Sequence, residues 1–135
     1  MSSVFTKVIE GEFPGRFVYR DENVVSFLTI NPVVTGHVLV VPVREVEHWI
    51  DLNDEEINQL MSVSKRISKA IYNSFDCEKV GMMIAGLEVP HVHIHLMPIN
   101  TSEDMDFAKA DPSPAPDLLD AVQAKIIVAL DDLKD

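Results

Sequence analysis

Three of the five histidines of this chain, His91, His93 and His95, stand at alternating positions in one short stretch. A helix would spread the three imidazoles around its axis, whereas the two-residue period of a strand places them on one face. The residues between them are β-branched, which favours the strand, and Pro90 and Pro98 bound the segment because proline donates no ladder hydrogen bond. Same-face positions lie about 6–7 Å apart, so the stretch predicts three rings around one phosphate-sized group.

The rest of the chain alternates short apolar runs with turn residues. Strands are predicted over 16–20, 24–30, 37–41 and 80–85, and helices over 4–11, 53–74 and 117–133. The run 37–41 is apolar almost throughout, which predicts cover on both faces of that strand. Hairpin-type strands with one long central helix, a short N-terminal helix and a C-terminal helix predict an α+β fold with an antiparallel sheet.

The two longer helices carry apolar stripes. Asn53 or Asp54 can cap the central helix, and its acidic first turn suits the positive end of a helix dipole. Its predicted core-facing residues are Ile57, Leu60, Met61, Ile67, Ile71 and Tyr72. Those of the final helix are Leu118, Leu119, Val122, Ile126, Ile127 and Leu130. The central helix is therefore expected to pack on the sheet, and the final helix on its own domain.

The length and composition predict a single domain. A chain of 135 residues with 47% hydrophobic content can bury a substantial core. We divide it into a folded unit over 1–110, a stiff proline-rich linker over 111–116 and a C-terminal amphipathic helix over 117–135.

Charge and cysteine content exclude several classes of protein. A net charge of −11 repels a polyphosphate backbone, so nucleic-acid binding is not expected, although a local site can still hold a small nucleotide. The single cysteine, Cys77, allows neither an internal disulfide nor a Cys-x-x-Cys zinc site. No apolar stretch approaches the roughly 20 residues of a membrane span, and the N-terminus lacks the pattern of a secretory signal. We therefore expect a cytoplasmic protein without membrane contact.

Three interpretations of the alternating histidines compete. They can be ordinary residues on a solvated strand face, or ligands of a metal such as zinc, for which imidazole is a common ligand. Three ligands along one straight strand suit tetrahedral coordination poorly. In the third interpretation, a neutral imidazole attacks a nucleotide α-phosphate, and its neighbours donate hydrogen bonds where negative charge develops. His93, flanked on both sides, is then the natural nucleophile.

Three motifs together resemble the histidine triad (HIT) family, and in particular its short bacterial members. The alternating histidines resemble the family's signature, residues 5–14 resemble its N-terminal helix and turn, and residues 35–42 resemble a second motif that contains His37. The resemblance covers roughly residues 4 to 99. It implies a nucleotidyl hydrolase or transferase that cleaves a nucleoside phosphoramidate, an acyl-nucleotide or a dinucleoside polyphosphate through a covalent histidine–nucleotide intermediate. It also implies a purine nucleotide as ligand, a homodimer, and no cofactor.

The resemblance also implies roles for single residues. His93 is the nucleophile, His95 contacts the phosphate and helps to protonate the leaving group, His91 holds His93 in its tautomer, and His37 orients the triad. The implied nucleoside pocket is lined by Phe5, Val8, Phe13, Phe27 and Ile30, each of which could equally be ordinary core.

The chain departs from the family pattern at three places. Thr29 stands where many relatives have an acid or an asparagine for the ribose hydroxyls, and the loop over 85–90 lacks their polar side chains. These departures favour an alternative, a nucleotide-binding or interaction protein with weak or no catalysis. Thr6 stands where some relatives have a zinc-binding cysteine, so no metal is expected and His48 is interpreted as an ordinary loop histidine.

Overall fold

The fold is built on one antiparallel sheet of five strands. The computed structural model describes residues 2–133. The strands are β1 (Phe17–Arg20), β2 (Val24–Leu28), β3 (Val38–Pro42), β4 (Lys79–Ile84) and β5 (Ile94–Ile99), in the spatial order β1-β2-β3-β5-β4. The helices are α1 (Val4–Ile9), α2 (Asp54–Ser74) and α3 (Pro116–Asp132). Short 3₁₀ turns cover Trp49–Asp51, Ser102–Met105 and Phe107–Lys109. The α+β fold with an antiparallel sheet is confirmed.

The two faces of the sheet carry separate parts of the core. In β3, Val38 and Val40 belong to the large cluster beneath α2 and α3, whereas Leu39 and Val41 belong to a smaller cluster that includes Val8 of α1. All five residues of β3 are buried, as its continuous apolar run predicts. The sheet is thus covered by α2 on one face and partly by α1 on the other.

The central helix α2 begins at Asp54 and ends at Ser74, as predicted. Asn53 caps it through a reciprocal pair of hydrogen bonds with Glu56. The predicted stripe is wrong at Met61 and Tyr72, which are exposed. The buried positions are Leu60, Val63, Ser64, Ile67, Ala70 and Ile71, whose spacing of three and four residues rotates the inner face away from those two side chains.

The C-terminal helix α3 packs against α2. Leu119, Val122, Ile126 and Leu130 enter the large cluster, whereas Leu118 is exposed. The amide of Gln123 donates to the carbonyl of Phe17, 2.9 Å away, which attaches α3 to β1 as well. Positions 134 and 135 of the predicted final segment lie outside the described residues.

The strand that carries the histidines is shorter than predicted. It begins at Ile94, so His91 and His93 precede it and only His95 lies within it. The backbone N–H of His91 donates to Val89 O, and that of Val92 donates to Val46 O, so neither enters a ladder with a neighbouring strand. The three histidines therefore do not share one strand face.

No helix within residues 2–133 is long and apolar enough to cross a bilayer.

Candidate active site

The histidines gather on the sheet face that α1 partly covers. In the sheet register, His95 of β5 lies opposite Leu39 of β3, and Leu39 lies opposite Phe27 of β2. Cross-strand partners point to the same side, so His95 shares the face of the smaller core cluster. His37 immediately precedes β3, and His93 immediately precedes β5.

His91 is fully buried, and both of its ring nitrogens have hydrogen-bond partners within the protein. Its Nε2 atom lies 2.7 Å from the carbonyl oxygen of Pro42, and its Nδ1 atom lies 2.7 Å from the hydroxyl of Ser3. Because a carbonyl can only accept, the proton sits on Nε2, and Nδ1 accepts from Ser3. The expectation that all three rings surround a phosphate is therefore wrong for His91, whose ring is 0% exposed.

A polar network holds the buried ring of His91. The N–H of Ser3 and the hydroxyl of Thr6 donate to Glu45 Oε1 at 2.7 and 2.6 Å, and Glu45 Oε1 lies 4.0 Å from His91 Nδ1. The hydroxyl of Thr6, followed by the N–H of Ser3, lowers the pKa of Glu45 to about 2. Thr6 is thus a hydrogen-bond donor in this network. Between residues 2 and 133, no group of three or more His, Cys, Asp or Glu side chains is placed to hold a metal ion.

His93 is oriented by the backbone of His91. Its Nδ1 atom lies 2.8 Å from the carbonyl oxygen of His91, so Nδ1 carries the proton and donates it. The lone pair is then on Nε2. Burial is the largest influence on His93 and lowers its pKa, while the hydrogen bond to the carbonyl of His91 acts in the opposite direction. The ring is therefore held neutral, with one fixed nucleophilic nitrogen.

A relay of hydrogen bonds fixes the tautomer of His95. The backbone N–H of Val33 donates to His37 Nδ1 at 3.1 Å, so in the neutral ring the proton of His37 is on Nε2. That Nε2 atom lies 2.9 Å from His95 Nδ1 and donates to it. The proton of neutral His95 is consequently on Nε2, where it can be donated to a ligand. Burial, followed by the charge of His93, lowers the pKa of His37 to about 4 and that of His95 to about 3.

Four aromatic rings form a continuous row through the site. Phe5 lies 4.8 Å from His93, His93 lies 4.8 Å from His95, and His95 lies 4.7 Å from Phe107, all between ring centroids and all edge-to-face. Phe107 is not among the site residues predicted from the sequence. The signal that could have drawn attention to it is a large aromatic residue within an otherwise acidic stretch shortly after the triad.

The six residues predicted to bind the nucleoside lie in different environments. Phe5 contacts the rings of His91 and His93, and it also packs against Phe27, at 5.6 Å between centroids. Val8 and Phe27 are buried in the smaller core cluster. Of these three, Phe5 contacts His93, and Val8 and Phe27 form part of the core cluster against which Phe5 packs.

The other three predicted nucleoside-binding residues are more exposed. Phe13 is half-exposed beside the ammonium group of Lys7, and Ile30 is 71% exposed. The hydroxyl oxygen of Thr29 accepts a hydrogen bond from the N–H of Asn31 at 3.2 Å, which leaves one hydroxyl proton to donate. The short loop before the triad adds Glu88, an exposed residue whose negative charge acts to raise the pKa of His93.

Comparisons of the sequence and of the structure with known proteins point to the same family. The family model described as the HIT domain matches residues 10–102. An uncharacterized HIT-like protein of Methanocaldococcus jannaschii is 38% identical over 99 residues, which cover 70% of this chain and 77% of that protein. An adenosine 5'-monophosphoramidase of Saccharomyces cerevisiae is 32% identical over 70% of this chain and 61% of its own length. The crystal structure of a HIT-like protein from Bartonella henselae superposes with a TM-score of 0.84 at 25% identity, covering 95% of this chain and 96% of that one.

Proposed function

This chain belongs to the HIT family, and from that premise we propose that it transfers a nucleoside 5'-phosphoryl group from a leaving group to water through a covalent bond to His93. The proposed substrate is a purine nucleoside phosphoramidate, acyl-nucleotide or dinucleoside polyphosphate. The observation that carries the proposal is that two adjacent neutral rings are held in opposite tautomers. Hydrogen bonds direct a lone pair to Nε2 of His93 and a proton to Nε2 of His95, and the two rings are 4.8 Å apart.

The first step forms the covalent intermediate. The lone pair of His93 Nε2 bonds to phosphorus, and the bond from phosphorus to the leaving atom breaks with its electron pair going to that atom. For a phosphoramidate, the leaving nitrogen takes one proton from solvent, while His95 Nε2–H donates a hydrogen bond to it. The ring of His93 becomes positively charged, and its Nδ1–H remains on the carbonyl oxygen of His91, which stabilises that charge.

The second step returns the enzyme to its starting state. The oxygen of a water molecule bonds to phosphorus, the bond from phosphorus to Nε2 breaks, and its electron pair returns to His93. The water proton goes to solvent, so the sum of the two steps consumes one water and releases a nucleoside monophosphate and an amine. In this proposal His37 and the buried ring of His91 are positioning residues, since neither needs to touch the substrate.

One relative supports the choice of this reaction class. The yeast protein described above carries the name adenosine 5'-monophosphoramidase. On this chain the corresponding chemistry needs a neutral nucleophilic histidine and a nearby hydrogen-bond donor, and the arrangement of His93 and His95 supports both requirements.

A homodimer in the cytoplasm is part of the proposal. β4 is the last strand in the sheet order, so one of its edges is open for pairing, and Met82 of this strand is exposed. Sedimentation equilibrium tests the dimer, and a monomer at micromolar concentration would contradict it.

Hydrolysis of adenosine 5'-phosphoramidate by the wild type and by His93→Ala, with EDTA present, tests the proposed function. We expect turnover by the wild type in EDTA and a rate lower by at least about 1000-fold in the variant, because the attacking atom is lost. His48→Ala is the matched control, since His48 is an exposed histidine at the N-cap of the 3₁₀ turn that precedes α2.

The second candidate function is nucleotide binding without catalysis. The hydroxyl of Thr29 favours it, because a single remaining proton is a weaker partner for two ribose hydroxyls than a carboxylate. Calorimetric binding of AMP by a wild type that hydrolyses none of the substrates would select this candidate.

A further inference from the structure

Phe107 closes the row of rings at the end opposite Phe5. Its ring lies edge-to-face against His95 at 4.7 Å and 6.3 Å from the ring of His37, between centroids. The side chain is 38% exposed, so part of the ring packs on His95 and part remains open to solvent. Phe107 therefore offers apolar surface directly beside the ring that presents a proton to the substrate.

The segment that carries Phe107 is capped at its start and anchored to another part of the fold at its end. Asp106 caps the 3₁₀ turn Phe107–Lys109 by accepting from the N–H of Ala108 at 2.9 Å. Farther along, the N–H of Asp111 donates to Pro32 O at 2.9 Å, and the side-chain amide of Asn31 donates to Asp111 O at 3.0 Å. The ring is thus attached to the β2–β3 connection and held in a defined place on the sheet face.

The proposed reaction defines which part of a substrate lies near this ring. His95 Nε2–H donates to the leaving atom, so the leaving group lies on the His95 side of phosphorus. Phe5 stands at the opposite end of the row, beside the nucleophile His93. Phe107 therefore lies on the His95 side of the site, which is the side on which the leaving group would lie.

The charge around Phe107 limits which leaving groups fit. The segment from 103 to 111 carries four carboxylates and a single cation, Lys109, whose ammonium group donates to the carbonyl oxygen of Glu103. A chain of phosphates would bring several negative charges to this segment and be repelled. An amine that bears an aromatic ring brings a flat apolar surface that can pack against Phe107.

We propose that Phe107 is a specificity-determining residue that contacts the leaving group, and that the site takes an amine that bears an aromatic ring as leaving group in preference to a phosphate chain. This inference rests on the proposed function and narrows its substrate class to phosphoramidates. Phe107 supplies the contact surface, and the acidic residues around it supply the discrimination against polyphosphate.

Three adenosine substrates test the proposal: the phosphoramidates of methylamine and of 2-phenylethylamine, whose leaving groups have similar basicity, and diadenosine tetraphosphate. For the wild type we expect kcat/KM to be about 10-fold higher for the phenylethylamide than for the methylamide, from one aromatic contact. We expect the tetraphosphate to be at least as poor a substrate as the methylamide. In Phe107→Ala, the ratio of kcat/KM for the phenylethylamide to kcat/KM for the methylamide should fall to about 1. Phe107→Tyr keeps the aromatic ring and should keep the wild-type ratio.

Tyr72→Ala is the matched control, because it removes an exposed aromatic ring from α2, on the other side of the sheet. Equal wild-type rates on the two amides, an amide ratio unchanged in Phe107→Ala, or a preference for the tetraphosphate would overturn the proposal and leave the proposed function intact. A wild type without turnover on any of the three substrates would overturn both.

Discussion

The Nδ1 atom of His93 lies 2.8 Å from the carbonyl oxygen of His91, so the proposed nucleophile is oriented by the backbone two residues before it. This contact depends on the chain leaving the strand pattern before Ile94, where β5 begins. It also gives the fully buried His91 a role, since the ring anchors that backbone to Pro42 and Ser3.

The hydrogen bonds predict one tautomer for each ring of the site. We expect the proton on Nδ1 of His93, and on Nε2 of His37, His91 and His95, because each opposite nitrogen either accepts from a fixed donor or is left free. Long-range proton–nitrogen correlation spectra of labelled protein at pH 7 distinguish the two neutral forms. A proton on Nδ1 of His95 would contradict the relay from Val33.

The relay predicts that His37 acts on the rate more than on binding. His37→Ala should lower kcat on a phosphoramidate by about 10- to 100-fold with a smaller change in KM, because His95 loses the donor that fixes its tautomer. His37→Gln, whose side-chain amide can still donate to His95 Nδ1, should recover part of the rate. An equal loss in both variants would indicate a packing role only, and His48→Ala should have no effect.

Activity should persist on the acid side of the usual histidine range. Burial lowers the pKa of His93 from its ordinary value of 6.5, and the neutral ring is the nucleophile. The midpoint of the acid-side loss of kcat/KM should therefore lie below 6.5, and kcat/KM at pH 6.5 should still exceed half of its value at pH 8. A profile of kcat/KM against pH in a constant-ionic-strength buffer checks this, and a midpoint above 6.5 would exclude a nucleophile with a lowered pKa.

Two buried serines should respond to truncation with opposite signs. The hydroxyl of Ser26 donates to Leu39 O at 2.8 Å, whereas that of Ser64 in α2 has no hydrogen-bond partner within residues 2–133. Ser64→Ala should raise the free energy of unfolding by about 1 kcal/mol, and Ser26→Ala should lower it by a similar amount. Urea denaturation of the two variants, analysed with the same m value as the wild type, measures both changes in the free energy of unfolding. Destabilisation by both would show that Ser64 has a partner, such as buried water.

Local signals were sufficient to predict most of the fold. Helix α2 could be predicted to within about one residue, because its cap lies next to it in sequence and its polar first turn marks the start. The burial of β3 on both faces followed from its continuous apolar run. Met61 and Tyr72 are exposed because of the rotation of α2 about its own axis. That rotation is set by the packing of the helix against the sheet, and no local sequence pattern indicates it.

The site was predictable as a set of residue types but not in its geometry. The identity of the histidines could be read directly, whereas the burial of His91 depends on the carbonyl of Pro42, 49 positions away. Phe107 was missed because its place beside His95 depends on a segment that folds back across the sheet after β5. Such contacts come from tertiary structure, and neither periodicity nor spacing indicates them.

The stereochemical course at phosphorus tests the covalent mechanism most directly. A single diastereomer of adenosine 5'-phosphoramidothioate is hydrolysed in water labelled with heavy oxygen, and the configuration of the thiophosphate product is determined. Two successive in-line displacements, the first by His93 and the second by water, predict net retention of configuration. Net inversion would mean that water attacks phosphorus directly, and it would contradict a covalent intermediate on His93.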